Sequence, residues 1–71
     1  MSAEAQFNKA ILLIKDHQYD QAIKLLNPLS PSQSELIFKK SYLLALCFEK
    51  NNDINSSIKF YLEALKVNPN H

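Results

Sequence analysis

Glycine, arginine and tryptophan are all absent from this 71-residue chain, and cysteine occurs once. Without glycine there is no phosphate-cradling loop and no dinucleotide-binding fingerprint, because both need backbone that can approach a phosphate without a Cβ in the way. Without arginine the bidentate recognition of phosphate and carboxylate loses its usual donor. The eight lysines stand against seven acidic residues, for a formal charge of +1. They are scattered among acids rather than gathered into a basic stripe, so no nucleic-acid partner is expected. Cys47 has no second cysteine to pair with, which fits a reducing compartment, the cytosol or the nucleus. It sits inside the apolar run Tyr42 to Phe48 and reads as a small buried hydrophobe. One cysteine and two distant histidines build no zinc site, and no cofactor is expected. Near the N-terminus Glu4 is present and the apolar stretch Ala10 to Ile14 is short, so neither a signal peptide nor a membrane span is read there, and no membrane partner is expected.

What the chain does have is apolar periodicity. Apolar residues make up 46% of it, with four Phe and three Tyr, enough for one small domain near the lower limit of a self-sufficient core. Phe7, Ala10, Ile11, Leu13 and Ile14 recur at helical spacing and predict a helix over about 3–16. Tyr19, Ala22, Ile23, Leu25 and Leu26 predict a second, over about 19–27, stopped by Asn27-Pro28. A third begins near 31, where Ser30 with Gln33, or Ser32 with Glu35, offers a capping box and Pro31 suits a first helical position. It runs to about 50 with apolar residues on nearly every face. Asn52 is the natural left-handed residue in a chain without glycine, and Asp53 then caps a fourth helix, about 54–68, with Ile54, Ile58, Tyr61, Leu62, Leu65 and Val67 on its inner side.

A shift of 35 residues lays Ala10 on Ala45, Lys15 on Lys50, Ile23 on Ile58 and Lys24 on Lys59. A helical hairpin repeated with a period in the middle thirties points to an α-solenoid. From Ser41 onward the residues resemble the tetratricopeptide repeat: Leu44-Ala45 stands for the Leu-Gly pair, Phe48 for Tyr, Ser57 for the small Ala, Tyr61 for Phe, Ala64 for a second Ala and Pro69 for the closing Pro. Small residues at 45 and 57 let two helix backbones approach, and Phe48 and Tyr61 fill the space beside them. The first unit matches less closely. Ala10 and Ala22 hold the small places and Gln18 to Ile23 resembles the turn, but Lys9 replaces a Leu and Pro28 shortens the second helix.

The resemblance implies an all-α fold, two helical hairpins stacked as a right-handed solenoid fragment. Repeat one would cover about 3–36 and repeat two about 38–71, together a single domain over 1–71. A plain four-helix bundle is the competing architecture, disfavoured because it has no reason to repeat small residues at equivalent places. The resemblance also implies a function, protein–protein interaction or assembly scaffolding through the concave face of the first helix of each hairpin. That face would carry Phe7, Ile11 and Ile14 from helix one and Lys39, Tyr42, Leu46 and Glu49 from helix three. The places that clamp a C-terminal carboxylate in chaperone-binding members are held here by Phe7, Ile11 and Leu43. An apolar helix or hydrophobic segment is therefore the expected ligand. The same Phe7, Ile11, Ile14 and Tyr42 also fit ordinary core of a longer solenoid.

The end of the sequence, Asn68-Pro69-Asn70-His71, falls where one such unit finishes, and no polar capping helix follows. A longer array, a partner or a second copy bound through the uncapped ends would cover the open face. Enzymatic activity is not expected. His17 with Asp16 lies at a predicted turn, and the acidic residues have no deep cleft in which to work as a pair. A membrane-surface role for helix one fails for want of a basic cluster on its polar face.

Overall fold

The computed structural model describes residues 3–67. Over that range it holds four helices and no strand: α1 (Ala3–Lys15), α2 (Tyr19–Leu26), α3 (Ser34–Lys50) and α4 (Ile54–Val67). Asn68, the last residue of the predicted fourth helix, and the closing Pro69 lie outside the described residues. α3 starts at Ser34, three residues later than the Ser-Pro-Ser pattern suggests. Its N-cap is Gln33, in extended conformation and without a side-chain bond to the helix, so neither capping box forms. Asp53 does cap α4, accepting from the backbone N–H of Ser56 at 3.2 Å.

The two interhelical turns are built alike. The turn after α1 holds His17 at φ 61° and the turn after α3 holds Asn52 at φ 65°, both left-handed, a conformation open to Asn and costly for most other residues. His17 N–H donates to Ile14 O (3.0 Å) and Gln18 N–H to Leu13 O (2.8 Å); Asn52 N–H donates to Glu49 O (3.0 Å) and Asp53 N–H to Phe48 O (2.8 Å). These are the paired bonds of a Schellman closure, and each falls on its counterpart when the chain is shifted as above. Ala22 N–H to Gln18 O and Ser57 N–H to Asp53 O, both 3.1 Å, extend the match into the second helix of each hairpin.

Small residues set the helix spacing. Ala10 and Ala22 in the first hairpin and Ala45 and Ser57 in the second are all buried. Phe7, Ala10, Leu26, Leu43 and Leu44 form the continuous core, with Ile11, Ile14, Ile23, Phe48 and Phe60 packed around it. Phe48 and Phe60 stack in parallel with centroids 5.5 Å apart, joining α3 to α4. Each helix packs on its neighbour in sequence. Among the described residues α4 touches neither α1 nor α2, so the helices make an open row of two hairpins instead of a closed bundle. Polar ties between the hairpins include Asn51 Nδ2, which donates to Asp20 Oδ1 (2.8 Å), and Lys40 Nζ, which donates to Leu29 O (2.5 Å).

The orientation of α4 corrects the sequence expectation. Its inner side is Ser57, Phe60 and Ala64; Ile54, Ile58, Leu62 and Leu65 point outward and are each about half exposed or more. The reason is steric. Close approach to Ala45 requires Ser57 and Ala64 at the seam, and at 3.6 residues per turn Ile58 and Leu62 then lie on another face.

Candidate interaction surface

The residues expected to line the groove divide into three groups. Phe7 is wholly buried and is corrected from groove to core: it clusters with Ala10, Leu26, Leu43 and Leu44, and Lys39 Nζ lies 5.9 Å from its ring centroid. A side chain with no exposed surface cannot meet a partner without opening the fold. Ile11 and Ile14 are half-buried and pack against the core, leaving one edge to solvent. Lys39, Tyr42, Leu46 and Glu49 recur along one side of α3 at spacings of three or four residues, which keeps them on one face. Lys39 and Leu46 are half-buried, whereas Tyr42 (44% exposed) and Glu49 are exposed.

Tyr42 leans toward α4. It stacks on Phe38, with centroids 6.0 Å apart and planes 10° from parallel, and meets Tyr61 of α4 edge-on at 5.9 Å. Tyr61 in turn donates its hydroxyl hydrogen to Glu49 Oε1 at 2.8 Å. Burial, the bond to Glu49 and the charge of that carboxylate push the Tyr61 phenol up to about 12. Phe38, Tyr42, Tyr61, Ala64 and Leu65 line a shallow apolar cavity of about 300 Å³. The structure therefore brings Phe7 and Lys39 together at the seam of α1 and α3, and Tyr42 and Glu49 together with Tyr61 at the edge of α3 and α4.

A second apolar surface was missed from sequence. Ile54, Ile58, Leu62 and Leu65 succeed one another along the outer face of α4 at spacings of four, four and three, with Leu62 59% exposed. Beside them Asn55, Lys59, Glu63 and Lys66 form a polar flank, and the flank together with Ile58 and Leu62 lines a shallow cavity of about 580 Å³. The signal for it was present. Apolar residues cover well over half the circumference of α4, more than one neighbouring helix can cover, and placing Ser57 at the seam fixes which half stays open.

Cys47 is fully buried, and burial pushes its thiol up to about 11, away from the nucleophilic thiolate. Among the described residues no three His, Cys, Asp or Glu side chains gather as a metal site, and no helix is long and apolar enough to cross a membrane.

Residues 41–71 match the tetratricopeptide repeat family model. No curated protein and no solved structure matches the chain.

Proposed function

We propose that the chain is a protein-binding module of the tetratricopeptide repeat type, whose family model residues 41–71 match, and that its α1–α3 face is a groove for an apolar helix or hydrophobic segment of another protein. The observation that carries this reading is the face of α3: exposed Tyr42 and half-buried Leu46 at its centre, with Lys39 and Glu49 at its ends. An aromatic and an aliphatic side chain bordered by opposite charges suit an amphipathic helix, which sets apolar anchors inward and polar groups at the rim. Ile11 and Ile14 supply the opposite wall from α1. Phe7 supports the floor from beneath.

Two repeats form the working unit in this reading, a solenoid fragment over 1–71. The matched turns at His17 and Asn52 and the buried small residues at equivalent places support it for the first hairpin, which lies before the matched segment. The open row of helices supports it against a closed bundle, since a row leaves one face of α3 free for a ligand. A compartment that keeps Cys47 reduced, cytosol or nucleus, suits such a protein.

The test is capture of binding proteins by the chain and by Tyr42→Ala and Leu46→Ala variants. Both side chains lie outside the core cluster, so the variants fold; circular dichroism checks it. Each truncation weakens binding by at least about ten-fold if these are the anchors. Folded variants that retain every binding protein at unchanged affinity would remove the groove assignment.

A further inference from the structure

The outer face of α4 is distinct from the groove, and we infer that it pairs with the same face of a second copy, the two α4 helices running antiparallel about a two-fold axis.

The argument starts from the stripe itself. Ile54, Ile58, Leu62 and Leu65 present four branched aliphatic side chains in an unbroken line, and spacings of four, four and three are those of a helix seam that packs on one partner helix. A two-fold interface requires a surface complementary to itself. In an antiparallel helix pair each flank of the seam faces the same flank of the other copy, read in reverse. The polar flank here is Asn55, Lys59, Glu63 and Lys66. With the axis passing beside Tyr61, Lys59 of each copy lies opposite Glu63 of the other, and Lys66 lies against the uncharged Asn55 and Ser56. A parallel pair would bring this flank against the opposite one and leave Lys59 and Glu63 without each other. The charge order therefore selects both the occupant, another copy, and the direction.

The size of the seam sets the strength. Four side chains about half exposed, with their flank, place the pair at the low end for specific interfaces, below about 1,200 Å² in total, so the dimer dissociates in the micromolar to millimolar range. The Lys59–Glu63 contacts lie at the solvent rim and choose register and direction more than affinity. Leu65 borders the cavity that Tyr42 also lines, but Ile54, Ile58 and Leu62 do not, so variants at Leu62 and at Leu46 tell the pairing and the groove apart.

Sedimentation equilibrium of the whole chain, from micromolar to millimolar, tests the inference. The chain should show a monomer–dimer equilibrium, and Leu62→Lys, at an exposed position, should weaken it at least a hundred-fold while circular dichroism stays unchanged. Lys59→Glu alone and Glu63→Lys alone should each weaken it about ten-fold, the two together should restore it, and the two single variants mixed should form a heterodimer. A monomer at every concentration, a dimer indifferent to Leu62→Lys, or a double variant no better than the singles would each overturn it. Loss of groove binding with dimerisation intact, or the reverse, tells which of the two readings has failed.

Discussion

The hydroxyl of Tyr61 on α4 is bound to the carboxylate of Glu49 on α3 at 2.8 Å, so the acidic end of the proposed groove is held in place from the neighbouring helix. Their coupling has a pH signature. The folded chain holds the Tyr61 proton more tightly than the unfolded one, with the phenol at about 12 against an ordinary 10.0. A folded pKa above the unfolded one gives stability that is complete below pH 10 and is lost as pH rises through about 12. Spectrophotometric titration should show the Tyr61 phenol ionising late, and Tyr61→Phe should remove that step. Glu49→Gln should lower the Tyr61 pKa only in part, because the charge and the charged acceptor vanish while burial, the largest cause, remains. A Tyr61 titration left unchanged by Glu49→Gln would assign the shift to burial alone.

Ala45 and Ser57 set the distance between α3 and α4. Both are buried, and a larger side chain at either place must push the helices apart and open the Phe48–Phe60 stack beside them. Ala45→Leu and Ser57→Leu should each cost at least about 1–3 kcal/mol in urea unfolding, with Ala10→Leu comparable in the first hairpin. The same change at exposed Gln21 should stay within about 0.5 kcal/mol. Equal tolerance at all four sites would mean that the hairpins do not depend on close approach.

Much of this fold is legible in the sequence because its signals are local. The spacing of Phe7, Ala10 and Ile14, the Asn27-Pro28 stop and the Asn52-Asp53 turn mark α1, the end of α2 and the junction of α3 with α4 with no knowledge of packing. Ser30 to Glu35 misleads because two capping boxes, Ser30 with Gln33 and Ser32 with Glu35, overlap in one stretch, and the choice between them rests on where α3 must begin to meet α2. The faces of the helices are less legible. Ile54, Ile58 and Leu62 look like core by hydropathy, yet Ser57 and Ala64 take the seam because they are small. Phe7 looked like groove for the same reason in reverse: register alone does not say how deeply α1 sinks between its neighbours. The Tyr42–Tyr61–Glu49 cluster depends on side chains from two helices meeting, which no single-helix pattern encodes.

Cys47 is packed with no exposed surface, and its thiol sits near 11. Thiolate is the reactive form, so at neutral pH the native chain should react with a disulfide reagent only as fast as it opens. Adding urea through the unfolding transition should raise the rate to that of a free cysteine in step with the loss of helix. Fast modification of the fully helical chain would show that α3 opens locally around Cys47 and that the core there is looser than its packing implies.

His17 and Asn52 close equivalent turns with nearly the same left-handed angle, 61° and 65°, but they do not bear it equally. Asparagine tolerates this region, whereas histidine meets more of the clash between Cβ and the following carbonyl. Glycine at either position removes the clash, at the cost of a more flexible unfolded chain. His17→Gly should therefore stabilise the fold by about 0.5–1 kcal/mol, even after losing the stack of His17 on Tyr19 at 5.9 Å. Asn52→Gly should change stability by less, and Asn52→Ala should destabilise by about 1 kcal/mol. Urea unfolding of the three variants gives the order directly. If His17→Gly is the destabilising one, the imidazole does more at its turn than occupy a left-handed position, and its stack on Tyr19 is the contact to examine by Tyr19→Ala.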